Sequence, residues 1–282
     1  MVTNKSFKKY FLIILFLFPF TVMGNQQKLA PNPDFLPDAD SYTFKKIGNV
    51  NLRLHIFDNK KKSTEAKPGI IFFFGGGLMR GSITHFQGQA KALSRQGMIA
   101  VLADYRVKMR HGTGPREAIS DAKDAISWLR KNASKFNLDP DKLVVGGGSS
   151  GGYLAASTAT VTDKSISRTP SEFSSYPNAL ALFNPALGNR FPKTGHKLSP
   201  YQSLNNSSVP TFIVHGHEDE LVPFRSAQAY CDKLNSLNGY CELHGYPGEG
   251  HGFFNRGRNG NKGYEDTYKK LEIFLRKFGY LK

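Results

Sequence analysis

The sequence predicts an α/β fold: a mainly parallel, twisted sheet with helices on both faces and an antiparallel hairpin at its N-terminal edge. Three observations carry that expectation. Short apolar runs at 69–74, 98–103 and 179–183 lack polar alternation, as strands buried on both faces require. Between such runs lie segments with helical periodicity, above all 115–136. Several of the runs end in glycine-rich turns, and in such sheets ligands bind beyond the C-terminal strand ends.

Taken in order, 1–24 is set apart from the fold. Lys5, Lys8 and Lys9 precede an apolar run over 10–22, and Gly24 follows, the layout of a secretory signal peptide. The run is too short to span a bilayer comfortably. A secreted or periplasmic protein is therefore expected, with no stable membrane association after cleavage. The proline-rich stretch 25–40 reads as a loose lead-in, and 41–282 as a single domain, a length that supports one large core.

In 50–57, Val50, Leu52, Leu54 and Ile56 alternate with Asn51, Arg53 and His55, which marks a half-buried strand. It pairs with 41–47 in a hairpin around Gly48 and Asn49. The buried strand 69–74 ends at Gly75, Gly76 and Gly77. A helix over 86–95 stops at Gly97, and the strand 98–103 runs into Asp104, Tyr105 and Arg106. In 115–136, Ala118, Ala122, Ala125, Ile126 and Leu129 mark an inner helix face, and Pro115 suits the first turn. Strands at 141–146, 179–183, 210–214 and 241–246 alternate with helices after 149, at 224–237 and at 264–278. Polar, irregular segments fill 160–176 and 184–208.

The whole chain carries a formal charge of +16; removing 1–24, with its three lysines and no acids, leaves +13. The basic residues are scattered, with no stripe interleaved with aromatics, so nucleic acid is not an expected partner. Only two cysteines occur, Cys231 and Cys241. In an exported chain they are candidates for a disulfide tying a helix end to the next strand. So small a loop contributes about 3 kcal/mol in the entropic account.

The chemistry centres on Gly147, Ser149 and Gly151, a Gly-x-Ser-x-Gly spacing between a strand and a helix. A serine on such a tight turn stands clear of its own backbone, and flanking glycines let strand and helix close up. Ser149 is the candidate nucleophile; Ser150 breaks the spacing, but its amide opens the helix, where unpartnered N–H groups favour negative charge. A serine hydroxyl needs a base. His251, between Gly250 and Gly252 after the last strand, is the candidate. Asp219, past the strand 210–214, would fix its tautomer, with Glu218 and Glu220 as rivals. His55, His85, His111, His196, His217 and His244 read as surface or hydrogen-bonded core residues, and His215 as structural. Gly75, Gly76 and Gly77 offer unhindered N–H groups for an oxyanion hole with the Ser150 amide. No metal or organic cofactor is expected.

Together these stretches resemble the α/β-hydrolase esterases of the hormone-sensitive-lipase and BD-FAE kind, and more narrowly the secreted bacterial group labelled acetyl-xylan-esterase-like. The likeness runs from about 72 to 281. It rests on the phenylalanines before Gly75, on Asp104-Tyr105-Arg106-Val107, Arg110-His111-Gly112-Thr113, the serine turn, His215-Gly216 through Val222-Pro223, Cys241-Glu242-Leu243 and His251-Gly252-Phe253-Phe254-Asn255. The chain order Ser149, Asp219, His251 is that of the α/β-hydrolase fold. The resemblance implies a serine carboxylesterase cleaving short acetyl-type esters, carbohydrate esters among them, with Gly76 and Gly77 as oxyanion donors. The broader family carries His before the three glycines where this chain has Phe74, so the usual anchor of that loop is unassigned. Two other readings share these residues: a serine peptidase of prolyl-oligopeptidase type, and a non-catalytic binding protein on a hydrolase scaffold.

Overall fold

The computed structural model describes residues 29–60, 64–162, 166, 172–188, 198–206 and 208–282. The expected signal segment lies outside the described residues, as do parts of the two irregular loops. The strands are β1 (Asp40–Ile47), β2 (Val50–Phe57), β3 (Lys67–Phe73), β4 (Ile99–Ala103), β5 (Leu138–Gly148), β6 (Ala179–Phe183), β7 (Thr211–Gly216) and β8 (Cys241–Tyr246). The helices are α1 (Gln87–Arg95), α2 (Lys108–His111), α3 (Pro115–Lys131), α4 (Ser150–Thr160), α5 (Phe224–Ser236) and α6 (Lys262–Lys277).

The strands form one eight-stranded sheet in the order β1-β2-β4-β3-β5-β6-β7-β8. β1 and β2 make the antiparallel hairpin, and β2 joins β4 antiparallel. From β4 to β8 every pairing is parallel. β4, β6 and the part of β5 from Leu143 on are apolar and buried because helices cover both faces. α3 packs against α4. α1 meets α6, where Gln96 donates to the Tyr268 hydroxyl at 2.8 Å. Beneath the C-terminal strand ends, Phe72, Phe86, Phe183 and Phe254 form a buried aromatic cluster with ring centroids 4.8–5.8 Å apart. It draws one ring each from β3, the turn before α1, β6 and the loop holding His251.

Three departures from the sequence reading have local causes. The helix expected over 115–136 ends at Lys131, where the Asn132 side chain donates to Trp128 C=O at 2.8 Å. A 3₁₀ turn, Ala133–Phe136, follows, and Asn137 leaves it in the left-handed region at φ 50°. α2 was not anticipated; its four residues follow Val107 and brace the first glycine loop, Lys108 N–H donating to Leu78 C=O at 3.0 Å and Met109 N–H to Met79 C=O at 2.9 Å. The described part of the lead-in before Asp40, where β1 begins, has no helix or strand, yet it is tied down. Leu36 is buried, and Asn32 donates to Asp104 at 2.7 Å while accepting Ile83 N–H at 3.2 Å.

Cys231 of α5 and Cys241 at the start of β8 are joined by a disulfide. Asn235 reinforces the junction by accepting Cys241 N–H at 2.8 Å. Among the described residues no helix is long and apolar enough to cross a membrane.

Candidate active site

The serine turn closes because two glycines permit contacts that any side chain would block. A Cβ on Gly147 would sit 2.5 Å from Gly151 C, and one on Gly151 would sit 2.1 Å from Phe73 C=O. β5 and α4 can therefore approach each other and the end of β3. Ser149 takes φ 54° and ψ −119°, a conformation L-residues rarely adopt. Such strain costs about 1–3 kcal/mol and persists where the surroundings over-determine it. Here Ser149 N–H donates to Phe183 C=O at 2.9 Å, and Ser149 C=O accepts from Tyr153 N–H and Ala186 N–H, each at 3.1 Å.

Asp219 and His251 meet across the next strand ends. Their Oδ2–Nδ1 distance is 2.7 Å. Asp219 is buried. Its Oδ1 accepts Leu221 N–H at 3.0 Å and Val222 N–H at 2.8 Å, and its Oδ2 accepts Asn184 Nδ2 at 2.6 Å. His215 Nε2 lies 3.3 Å from the same oxygen. Burial alone would raise the Asp219 pKa. Hydrogen bonds from His215, His251, Asn184 and the Val222 amide outweigh it and hold the carboxyl well below the ordinary range. An ionised Asp219 accepts a hydrogen bond from His251 Nδ1–H, which leaves Nε2 as an acceptor. Ser149 Oγ and His251 form no hydrogen bond here; in unliganded enzymes such contacts are commonly long and tighten with substrate. Glu218 and Glu220, the rivals for the acid, form no hydrogen bond or ion pair with His251 and are exposed.

The first glycine tract lies beside the turn, since β3 pairs with β5. Gly76 and Gly77 have φ 133° and 66°. Among the described residues no acceptor takes the N–H of Gly76, Gly77 or Ser150. Gly75 differs: its N–H donates to His85 Nδ1 at 3.0 Å. The other ring nitrogen, Nε2, lies 2.7 Å from Asn255 Oδ1. His85, read from sequence as an ordinary histidine, is thus a hydrogen-bond partner of the first glycine loop, a role that Phe74 could not supply. Burial holds its pKa below the ordinary value, and the nearby His251 pushes the same way, against the Asn255 bond. Phe74 stacks on Tyr105 at 4.1 Å, and the Tyr105 hydroxyl donates to Phe74 C=O at 2.7 Å. The Arg110 guanidinium donates to Gly81 C=O.

Sequence reading missed His85, Asn184 and Asn255. Their partners lie 10, 35 and 170 residues away, so no local spacing announces them. Among the described residues no group of His, Cys, Asp and Glu is arranged to hold a metal ion. Beside the turn lies a cavity of about 550 Å³, lined in part by Ala186, Leu187, Tyr201, Leu221 and Val222.

A parallel sheet of this order, with a glycine-framed serine on its central strand and an imidazole–carboxylate pair on the last strand ends, is the sheet of an α/β-hydrolase. Within that class, residues 54–182 match the BD-FAE family, and residues 182–278 match the prolyl oligopeptidase family. The solved structure of Thermogutta terrifontis esterase 2 modified by tabun superimposes with a TM-score of 0.83, at 36% identity over 87% of this chain and 96% of that one. Its propionate-bound form gives 0.82 at 35%, with the same coverage. Esterase LipC of Mycobacterium tuberculosis is 30% identical over 71% of this chain. The chain belongs to the α/β-hydrolase esterases of BD-FAE type. It spans only about half the length of the curated relatives it matches, 56% of LipC and 53% of the carboxylic ester hydrolase LipM of the same organism.

Proposed function

We propose that the protein is a secreted serine carboxylesterase acting on short-chain esters. The observation that carries this is the Asp219–His251 pair at 2.7 Å, on strand ends beside a serine held at φ 54°. Ser149 attacks the ester carbonyl and His251 Nε2 takes its proton. The oxyanion forms against the amides of Gly76, Gly77 and Ser150. His251 then protonates the leaving alkoxide, and water attacks the acyl-enzyme by the same route. Asp219 keeps the imidazolium oriented throughout.

The acyl preference is supported by the acids found with a related enzyme. The related esterase 2 has been solved with propionate and with butyrate. A carbohydrate alcohol is supported by an acetylxylan esterase of Xylanibacter ruminicola, 26% identical over 64% of this chain. Export is supported by the layout of 1–24 and by a disulfide, which persists in oxidising compartments. Ser149→Ala is expected to abolish hydrolysis of p-nitrophenyl acetate by folded protein. Turnover at the wild-type rate would refute the assignment. Octanoyl esters cleaved faster than acetyl esters would refute the short-chain preference.

The prolyl-oligopeptidase match over 182–278 favours a second reading, a peptidase with the same residues. Cleavage of a dipeptide anilide in preference to simple esters would establish it. A non-catalytic binding protein would react with neither substrate, nor with a fluorophosphonate.

A further inference from the structure

We infer that His85 and Asn255 act as a positioning pair that sets the oxyanion loop in register with the loop carrying His251. This deepens the esterase reading and rests on it.

The structure separates the three amides of the first glycine tract. Gly75 N–H is drawn to His85 Nδ1 at 3.0 Å, while those of Gly76 and Gly77 stay unpaired among the described residues. For Nδ1 to accept, the ring proton must sit on Nε2. Asn255 Oδ1, 2.7 Å from Nε2, accepts that proton and so fixes the tautomer. Asn255 lies four residues beyond His251 in a turn closed by Asn255 N–H donating to Gly252 C=O at 3.1 Å. One imidazole therefore spans the loop that would hold the oxyanion and the loop that holds the base.

The ring is itself fixed. It sits in the 3₁₀ turn Ile83–Phe86, capped where Ser82 Oγ accepts Thr84 N–H at 3.3 Å. It packs on Phe86 and Phe254 at 4.7 and 5.8 Å. Its Cε1 faces both glycine tracts, 3.4 and 3.2 Å from where a Cβ on Gly75 or Gly148 would stand. Nothing in this placement touches a substrate carbonyl, so the pair acts through the Gly76 and Gly77 amides. Those amides matter chiefly once negative charge has developed on the carbonyl oxygen. Loss of the pair should therefore lower kcat and leave KM nearly unchanged.

The test compares His85→Phe, His85→Gln and Asn255→Ala with wild type on p-nitrophenyl acetate. Thermal melting and the affinity for phenylboronic acid, which forms a tetrahedral adduct on serine, are measured alongside. His85→Phe keeps the ring and its packing but cannot accept Gly75 N–H. Its kcat should fall about 10- to 100-fold with KM within about twofold, and boronate affinity should fall with kcat. Gln can accept from Gly75 and donate to Asn255, so His85→Gln should recover most of the loss. Asn255→Ala should fall between the two. Wild-type kcat in His85→Phe, a change confined to KM, or a His85→Gln as impaired as His85→Phe would overturn the proposal. If His85→Phe fails to fold, Asn255→Ala decides: unchanged kcat and boronate affinity would also overturn it. Failure of the esterase reading would look different, as full activity in Ser149→Ala.

Discussion

Two runs of three glycines end neighbouring strands, and they do opposite work. Gly146, Gly147 and Gly148, at the end of β5, are packed so closely that a Cβ on any of them would come within 2.5–2.9 Å of a neighbouring atom. The tract after β3 is mixed: a Cβ on Gly75 or Gly76 would come within 2.9 or 2.0 Å of a neighbouring atom, while Gly77 has nothing nearer than 3.9 Å. The β5 tract lies inside the sheet, paired with β3 on one side and β6 on the other. The β3 tract keeps backbone N–H groups open, and its shape must be imposed by neighbours: Tyr105 on Phe74, α2 on Leu78 and Met79, Arg110 on Gly81 and His85 on Gly75. A nucleophile can be held by packing; an unpaired amide has to be aimed by the groups around it.

The largest expected effect tests the side chains that serve the packed tract. Asp219→Asn should lower kcat by about 10⁴-fold with the fold intact, because an amide in place of the carboxylate favours the wrong His251 tautomer. A rate within tenfold of wild type would mean that the pair is not catalytic. Next comes stability. Gly147→Ala places a Cβ against Gly151 and should cost about 1–3 kcal/mol, whereas Gly77→Ala, in open space at φ 66°, should cost about 1 kcal/mol. Urea melts of the two variants give the difference, and equal losses would erase the contrast drawn here.

A smaller effect concerns pH. Asp104, which accepts from Asn32 and Tyr105 N–H behind the β3 tract, has its pKa raised by burial to about 6. Hydrogen bonds from Asn32 and Tyr105 and the charge of Arg110 oppose the shift without cancelling it. The folded state therefore binds this proton more tightly than the unfolded chain does. The stability it contributes is complete below pH 3.8 and is lost as pH rises through 6. In Asp104→Asn that slope should vanish, so melting temperatures of the two proteins should diverge between pH 4 and pH 7. Parallel curves would show that Asp104 is not protonated in the fold. The smallest effect belongs to Ser150→Ala. Ser150 is fully buried and is proposed to act through its amide, so kcat should stay within about twofold. A large loss would shift the nucleophile assignment.

The same contrast explains what the sequence discloses. The serine turn is legible because its constraint is local: only glycine fits at Gly147 and Gly151, and the spacing records it. The sheet is legible because strands such as β4 and β6 are buried on both faces and so carry no polar residue. Asp219 and His251 stand out by their place after strands, but their contact with each other depends on the whole sheet. His85 and Asn184 are illegible for the reason that makes them useful, since each reaches a group that only the folded topology brings near. The early end of α3 was hidden because its cause is the Asn132 side chain turning back onto the helix, not a break in the apolar pattern.

Ser149, activated by His251, is proposed as the nucleophile. Incubation with a fluorophosphonate followed by peptide mass mapping tests it most directly. A single adduct on Ser149 is expected in the wild-type protein, and none in His251→Ala over the same time. An adduct on Ser150 or elsewhere, or equal labelling without the imidazole, would contradict it.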